Sequence, residues 1–254
     1  MLRRLNPATN FSLAMPIFQL DDRILFPSPE FAEEDGLLAV GGDLSAKRLI
    51  LAYSLGIFPW FSDDSQILWW SPDPRLVLFP CELKVARSLR RIVRKARYSI
   101  TMDVAFEEVV RSCAEVPRKG SEGTWITPGM RRAYRELHKQ GVAHSVEAWH
   151  EETLVGGLYG IALGGAFFGE SMFSMMDDAS KVAFTQLVRY LSQRGFSIID
   201  CQVRTPHLMG FGAREIPRAE FLVIMRKALA IRGKPGPWTS DFESYLTRDQ
   251  SAHG

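Results

Sequence analysis

Apolar residues recur at helical spacing in several stretches of the chain, and they alternate with polar or small residues in others. Apolar positions three and four residues apart mark one buried face of a helix, whereas alternation over four to eight residues marks a strand. This pattern predicts helices at 46–55, 83–96, 103–113, 128–140, 181–193 and from Pro217 onward. It predicts strands at 143–149, 154–163, 166–173 and 196–203.

Short polar and glycine-rich gaps set the order of these elements. Ser45 or Asp43 can cap the first helix, and Thr127 followed by Pro128 is a typical helix start. The gaps 150–152 and 164–165 indicate hairpin turns, so three strands form an antiparallel meander. Three such strands followed by a helix, a strand and a helix predict an α+β class. The order is similar to that of acetyltransferase-like (GNAT) folds, a likeness of fold that does not give function.

The stretch from Phe26 to Pro80 has a different character, because it is crowded with Gly, Pro and aromatic residues. Such loops form few regular elements, so we expect either a small irregular domain or a lid packed on something larger. We expect the Gly/Pro-rich tail after Arg232 to be a loosely docked end. The chain then divides into a loose extension at 1–14, a small N-terminal domain at 15–76 and a GNAT-like main domain at 77–254.

The composition excludes several classes of protein. The chain has 254 residues, 46% of them hydrophobic and 24% charged, as in a globular protein. Three cysteines without CxxC spacing predict a reducing compartment, the cytoplasm, and exclude a disulfide framework or a thiolate zinc site. Histidine spacing suggests no metal site. No apolar run approaches the ~18 residues that a membrane span needs.

The formal net charge is only +2, which taken alone argues against a nucleic-acid partner. The charge is nevertheless concentrated, because no acid interrupts the cations between residues 84 and 97. These cations are Lys84, Arg87, Arg90, Arg91, Arg94, Lys95 and Arg97. On a helix most of them share the face opposite the apolar stripe, and such a face can follow a phosphate backbone. A solvated helix surface is the alternative, although such surfaces usually mix both signs of charge.

Polar residues occur within two otherwise apolar strands. Asp200 and Gln202 are two residues apart, so they share one face of a strand and need partners or a ligand. The alternative is a strand end that emerges into solvent. Glu170 follows an apolar run, where a carboxylate is costly unless it meets a cation or hydrogen-bond donors. A substrate ammonium or guanidinium would satisfy Glu170, and an internal Arg or Lys partner is the alternative.

Four tryptophans lie in Gly/Pro-rich loops, namely Trp60, Trp69, Trp70 and Trp125. Exposed tryptophan can stack on bases or cover an apolar ligand. For Trp69 and Trp70, an equally good interpretation is that they clamp one domain onto the other.

Ten motifs follow one another in a fixed order along the chain. They are Phe26–Pro29, Gly36–Leu44, Gly56–Phe61, Trp69–Arg75, Gly123–Thr127, His144–Glu147, Gly156–Gly160, Gly169–Ser174, Ser180–Lys181 and Ile199–Gln202. Together they resemble the leucyl/phenylalanyl-tRNA–protein transferase family over roughly residues 26–221. The resemblance is specific, because the motifs are collinear and several contain tryptophan.

The resemblance implies an aminoacyltransferase that acts without metal, acyl-CoA or other cofactor. Members of the family move Leu or Phe, and less readily Met, from aminoacyl-tRNA to the α-amine of proteins that begin with Arg or Lys. The new N-terminal residue marks the product for degradation by the bacterial N-end rule. We further expect a cytoplasmic monomer without a membrane partner.

The resemblance also assigns roles to residues. The tRNA acceptor stem would be held by Lys84, Arg87, Arg90, Arg91, Arg94 and Lys95. The pocket for the Leu or Phe side chain and the terminal adenosine would be lined by Trp60, Trp125, Leu158, Met172, Leu187 and Leu191. Glu170 would attract the Arg or Lys of the acceptor protein, while Asp200 and Gln202 would orient and deprotonate its α-amine.

Two other functions compete with this interpretation. An acyl-CoA-dependent N-acyltransferase would need a glycine-rich loop that opens a helix, and the best candidate, 207–212, begins with His and runs on to Pro217. A non-catalytic RNA-binding module would explain the basic segment but not Glu170, Asp200 and Gln202.

Overall fold

In the computed structural model the chain forms a large mixed sheet flanked by helices and a smaller sheet near its N-terminus. The structure describes residues 3–4, 17–62, 66–116, 125–233 and 235–252. The strands are β1 (Arg3–Arg4), β2 (Phe18–Leu20), β3 (Leu37–Gly41), β4 (Phe58–Pro59), β5 (Leu68–Trp70), β6 (Arg75–Leu78), β7 (Ser99–Met102), β8 (Ala143–His150), β9 (Thr153–Leu163), β10 (Ala166–Ser174), β11 (Ile198–Gln202) and β12 (Arg214–Ile216). The helices are α1 (Ala46–Ser54), α2 (Arg87–Arg94), α3 (Phe106–Glu115), α4 (Pro128–Lys139), α5 (Ala179–Gln193), α6 (Pro206–Met209), α7 (Arg218–Leu229) and α8 (Thr239–Ala252).

The large sheet has the strand order β12-β6-β11-β10-β9-β8-β7 among the described residues. Strands β8, β9 and β10 pair in antiparallel succession, as the hairpin gaps predicted. Strand β7, which the sequence pattern did not predict, pairs antiparallel with β8. Helix α5 then carries the chain to β11, which runs parallel to β10. The predicted α+β class is confirmed. The structure also has the predicted order of elements, a meander followed by a helix and a further strand, on which the acetyltransferase-like prediction was based.

Successive residues of the central strands enter two different hydrophobic cores. Tyr159 and Phe168 face a core shared with α1, α3, α4 and α7. Leu158 and Phe167, one residue before them, face a core shared with α2, α5 and α8. Side chains alternate between the faces of a strand, so the sheet is the middle layer between two layers of helices. Gly156 allows α5 to lie close on β9, because a Cβ there would come within 2.7 Å of the Ala179 Cβ.

Two predicted helix caps are confirmed. Ser45 caps α1 by accepting a hydrogen bond from the Arg48 N–H, and Thr127 caps α4 by accepting one from the Met130 N–H. These bonds satisfy backbone donors that the first turn of a helix leaves without partners.

The N-terminal part is more regular than the sequence suggested. It contains a sheet of short strands in the order β1-β2-β3-β5-β4 within the described part of the chain. Trp69 is fully buried there, and its indole N–H donates to the Gly41 carbonyl at 2.9 Å. Most of the predicted extension at 1–14 lies outside the described residues, and within it Arg3–Arg4 pairs with β2.

Two further expectations need correction. The helix predicted at 83–96 is shorter, because α2 begins at Arg87 and Lys84 lies in the loop before it. The tail after Arg232 is not a loose end. Trp238, Phe242 and Tyr245 are at most 3% exposed and pack around Tyr190 of α5. Their spacing of four and three residues is a short helical pattern that the surrounding Gly and Pro residues obscured.

None of the described helices combines the length and the apolar character needed to cross a bilayer.

Replacement of Phe242 by Ala tests the docking of α8. Removing a fully buried ring should lower the free energy of unfolding by about 3 kcal/mol or more, since a cavity remains. Phe31→Ala is the matched control, because Phe31 is 47% exposed and should change stability by less than ~1 kcal/mol. Equal losses in urea denaturation of the two variants would contradict the docking.

Candidate active site

A cavity of about 560 Å³ lies where the N-terminal part meets the open end of the large sheet. Its walls come from β4 and Trp60 on one side, from β9, β10 and β11 on the other, and from α5 and α6. The volume is usual for a site that holds a small molecule or a side chain. Most of the wall is apolar. Among the described residues that line the cavity, Glu170 is the one that carries a carboxylate.

The cavity opens because β10 and β11 stop pairing partway along their length. Their parallel pairing ends at Phe168 and Asp200. Just beyond that point each strand is irregular in the pairing with its other neighbour, and the backbone of Gln202 is left-handed with φ 62°. Bulges turn side chains away from the regular alternation of a strand. Glu170 and Gln202 therefore both line the opening beyond the last paired residues.

The Glu170 carboxylate is held by three neutral side chains from three different elements. Tyr53 of α1 donates to Oε1 at 2.9 Å, and Tyr134 of α4 donates to Oε2 at 2.5 Å. The Gln202 amide donates to Oε1 at 3.0 Å. Among the residues that the structure describes, no ion pair involves Glu170. The alternative of an internal Arg or Lys partner is therefore wrong for this part of the chain.

Burial raises the pKa of Glu170 from 4.5 to about 7. The hydrogen bonds from Tyr134 and Tyr53 oppose that rise, the negative charge of Asp200 adds to it, and the hydrogen bond from Gln202 opposes it. A carboxyl group with a pKa near 7 gains and loses a proton readily at neutral pH. Such groups in a cavity are candidates for chemistry.

Asp200 lies behind the cavity wall. Arg75 donates to its two oxygens, from Nε at 2.8 Å and from Nη2 at 2.7 Å, and both side chains are 1% exposed. Asp200 also accepts the backbone N–H of Gln202 at 2.9 Å. The resemblance implied that Asp200 and Gln202 together orient and deprotonate the acceptor amine. In the structure Gln202 lines the cavity, whereas the Asp200 oxygens are bound by Arg75 and by the Gln202 N–H.

The Arg75 guanidinium lies between two aromatic rings from different parts of the chain. Its central carbon is 4.8 Å from the ring centroid of Phe58 in β4 and 4.7 Å from that of Phe221 in α7. Cations are attracted to the faces of aromatic rings, more strongly where water is excluded. This contact ties the N-terminal sheet and α7 to the ion pair behind the cavity.

The structure places four of the six predicted apolar residues on the cavity wall, namely Trp60, Trp125, Leu158 and Met172. Leu187 and Leu191 do not reach the cavity. Both are fully buried in the core beneath α5, and Phe184, one turn earlier, lines the cavity instead. The resemblance pointed to the correct helix, but the part of α5 that lines the cavity is its N-terminal turns.

Two other reactive side chains line the cavity. Burial raises the pKa of the Cys201 thiol, so little thiolate exists at neutral pH to act as a nucleophile. Burial, together with the charge of Lys181, lowers the pKa of His207. Within the described part of the chain, no group of three His, Cys, Asp or Glu side chains is placed to hold a metal ion.

Sequence reasoning did not identify Tyr53, Tyr134, Arg75 or Phe184 as parts of the site. Tyr53 and Tyr134 lie on the apolar faces of α1 and α4, where a tyrosine looks like an ordinary core residue. The available signal was chemical, since a buried hydroxyl needs a hydrogen-bond partner. Arg75 was noted only as the last residue of the Trp69–Arg75 motif.

The basic segment forms an exposed surface on the α2 side of the sheet. Arg87, Arg90, Arg91, Arg94 and Lys95 are all exposed, as is Lys84 before the helix. No ion pair among the described residues involves any of them. Leu89 on the opposite side of α2 is buried, and the helix packs against α5. The surface keeps a concentrated positive charge without internal compensation.

Two family models match the chain. The model of the leucyl/phenylalanyl-tRNA protein transferase matches residues 77–226, more than half of the chain, and that of the N-terminal domain of the same transferase matches residues 42–73. The chain belongs to the leucyl/phenylalanyl-tRNA–protein transferase family.

Relatives that carry the name of this transferase are similar over most of their length. A protein of Syntrophobacter fumaroxidans is 60% identical over 83% of this chain and 90% of its own length. One of Anaeromyxobacter sp. strain Fw109-5 is 58% identical over 89% of this chain and 97% of its own. The predicted enzyme class, an aminoacyltransferase, is confirmed.

Solved structures show more distant likenesses. L-PGS from Bacillus licheniformis is 10% identical, with a TM-score of 0.40 over 77% of this chain and 74% of that one. A GCN5-related N-acetyltransferase from Kribbella flavida is 11% identical, with a TM-score of 0.35 over 71% of this chain and 63% of that one.

Replacement of Arg75 by Met tests the ion pair behind the transferase cavity. The change leaves the Asp200 carboxylate buried without its partner, so the free energy of unfolding should fall by about 3–5 kcal/mol. Arg23→Met is the control, since Arg23 and Asp21 form an ion pair that is about half exposed, and loss of a solvent-exposed pair should change stability little.

The double variant with Asp200→Asn should recover part of the loss, because no uncompensated charge remains. A loss for Arg75→Met as small as that for Arg23→Met in denaturant titrations would contradict this account.

Proposed function

We propose that the chain transfers Leu or Phe, and less readily Met, from aminoacyl-tRNA to the α-amine of proteins that begin with Arg or Lys. Transfer creates an N-terminal residue that marks the product for the bacterial N-end rule. The enzyme acts as a monomer in the cytoplasm. The observation that carries the proposal is the Glu170 carboxylate, which lies on an apolar cavity and is held by neutral donors only among the described residues.

The apolar wall accounts for the donor amino acid. Trp60, Trp125, Leu158 and Met172 offer surface to a Leu or Phe side chain and to the terminal adenosine of the tRNA. Apolar pockets separate side chains by only ~1–3 kcal/mol per methylene, so one pocket accepts both amino acids. Selection of the donor rests on shape rather than on hydrogen bonds.

Glu170 accounts for the cationic acceptor. A carboxylate in a dry site gains free energy when a positive group replaces the water it has lost. An N-terminal Arg or Lys brings two positive groups, its side chain and its α-ammonium. An acidic N-terminal residue would place a second negative charge beside Glu170 and is excluded for that reason.

Gln202 orients the acceptor amine, and Asp200 acts as a positioning residue for Gln202. Asp200 fixes the left-handed backbone of Gln202 by accepting its N–H, while Arg75 fixes Asp200. The ester of aminoacyl-tRNA is already activated toward amines, so precise positioning supplies much of the rate.

The basic surface of α2 accounts for tRNA binding. Arg87, Arg91 and Arg94 contact backbone phosphates, which hold the acceptor stem without reading its sequence. Each contact releases counterions from the RNA, so binding weakens as salt rises.

The structure gives an acyl-CoA-dependent N-acyltransferase no support. Its pyrophosphate loop would have to open a helix, but the residues after Gly212 form β12. An RNA-binding module without activity leaves the buried polar groups around Glu170 unexplained.

The deciding experiment combines the protein, radiolabelled Leu-tRNA and a peptide that begins with Arg. Label should move to that peptide and to one that begins with Lys, because both bring a cation to Glu170. A peptide of the same sequence that begins with Glu is the control and should receive little label. No transfer, or equal transfer to the acidic peptide, would refute the proposal.

Reversal of Arg87, Arg91 and Arg94 to Glu tests the basic surface. The variant should bind tRNA more weakly, and the logarithm of its binding constant should depend less steeply on salt, since fewer phosphates are neutralised. Reversal of Arg111, Arg135 and Lys139 is the control, because these exposed residues of α3 and α4 give the same change in net charge on the other face of the sheet. Identical salt slopes for the two variants would rule out the assignment.

A further inference from the structure

Three oxygen-bearing side chains beside the cavity form a closed triangle of short contacts. Tyr53 lies 2.9 Å from Oε1 of Glu170, Tyr134 lies 2.5 Å from Oε2, and the two hydroxyl oxygens are 2.7 Å apart. A contact of this length between two oxygens is attractive only when one proton lies between them. The triangle therefore requires three protons to satisfy all of its sides.

The number of protons available depends on the charge of Glu170. Burial raises the pKa of both tyrosines well above the ordinary value, so each keeps its hydroxyl proton at neutral pH. With Glu170 ionised, the two hydroxyls donate to the carboxylate, and the contact between the hydroxyl oxygens has no proton. With Glu170 protonated at Oε2, that O–H donates to Tyr134, Tyr134 donates to Tyr53, and Tyr53 donates to Oε1. Every side then holds a proton.

The protonated state satisfies all three contacts, whereas the ionised state keeps both contacts to the carboxylate and leaves only the contact between the hydroxyl oxygens without a proton. Glu170 therefore keeps the same partners in both states, and the hydroxyl hydrogens rotate when the proton arrives or leaves. Because those partners are already in place, the reorganisation that accompanies proton transfer is small. Oε1 also accepts from the Gln202 amide, which suits the carbonyl oxygen of a protonated carboxyl group.

We infer that Glu170 accepts the proton of the acceptor's α-ammonium group and that Tyr53 and Tyr134 are positioning residues for this transfer. The inference rests on the proposed function. An N-terminal Arg or Lys carries two positive groups, and the inference places the α-ammonium, rather than the side chain, against Glu170.

The chemical step balances as follows. The α-ammonium gives one proton to the Glu170 carboxylate and becomes a neutral amine. The amine nitrogen attacks the ester carbonyl carbon, a C–N bond forms, and the bond from that carbon to the ribose oxygen breaks. The second amine proton passes to the ribose oxygen, which leaves as a hydroxyl group. Glu170 then releases its proton to water.

The pKa values suit this transfer. An α-amine has an ordinary pKa of about 8, close to the value of about 7 for Glu170, so the proton moves without a large free-energy penalty.

The other groups that face Glu170 do not replace it as the proton acceptor. Gln202 has an amide side chain, which does not act as a base. Asp200 lies behind Gln202 on β11, and its carboxylate forms an ion pair with Arg75 of β6. His207 of α6 lines the same cavity, and its lowered pKa makes it a poorer proton acceptor. Tyr159 of β9 packs edge-on against the Tyr134 ring.

The first test compares two nucleophiles in the wild-type enzyme and in Glu170→Gln, with radiolabelled Leu-tRNA. One peptide begins with ordinary Arg. In the other, an aminooxy group replaces the α-amine of that Arg, and this nucleophile is neutral at pH 7 without a base. Glu170→Gln should lose on the order of 10²-fold or more in kcat/KM with the first peptide. It should lose less than about 10-fold with the second.

The second test uses the pH dependence of kcat/KM for the ordinary peptide. Since Glu170 accepts a proton only when ionised, wild-type activity should fall as the pH drops through about 7. Tyr53→Phe and Tyr134→Phe each remove a hydrogen bond that lowers the pKa of Glu170, so this acid limb should move to higher pH. Tyr98→Phe is the matched control. Tyr98 is buried and donates to the Asp177 carbonyl, so its loss should leave the limb in place.

The outcomes separate the two proposals. Equal losses of Glu170→Gln with both peptides, together with an acid limb that neither tyrosine variant moves, would mean that Glu170 only binds the acceptor. That result overturns this inference and leaves the proposed function standing. Absence of transfer by the wild-type enzyme to either peptide would refute the proposed function itself.

Discussion

The buried ion pair between Arg75 and Asp200 is the constraint on which the site depends. Two charges removed from water are stable only when each satisfies the other, and here the guanidinium meets both carboxylate oxygens. The same guanidinium lies between an aromatic ring of β4 and one of α7. The pair thus fixes the position of the N-terminal sheet, α7 and β11 relative to one another.

From this pair the geometry extends to the cavity in two steps. Asp200 accepts the backbone N–H of Gln202 and holds it in a left-handed conformation. The Gln202 amide in turn reaches Glu170. Asp200, which does not line the cavity, therefore sets the positions of Gln202 and Glu170, which do. The other side of Glu170 is set by α1 and α4 through their tyrosines.

Much of this arrangement could be predicted from the sequence, and the remainder could not for identifiable reasons. Periodicity found the helices, and apolar runs bounded by turn residues found the strands of the meander. The strand runs are nearly continuous because the sheet is buried on both faces, so successive residues such as Leu158 and Tyr159 enter different cores. Glu170 and Gln202 could be found because polar groups are expensive in apolar strands. Arg75 could not be paired with Asp200, since the contact joins residues 125 positions apart and no local pattern encodes it. The resemblance assigned Leu187 to the pocket, but in the structure Leu187 lies in the core and Phe184, one turn earlier on α5, lines the cavity.

Tyr53 and Glu170 come from different parts of the chain, and their contact links the assembly of those parts to proton binding. Burial raises the pKa of Glu170 to about 7 only in the folded protein, and unfolding returns the group to its ordinary value of 4.5. Between these two values the folded form binds more protons than the unfolded form. The contribution of Glu170 to stability is therefore greatest in acid and declines as the pH rises through that interval. Ionisation of the site thus costs free energy of folding, and the hydrogen bonds from Tyr53 and Tyr134 offset part of that cost.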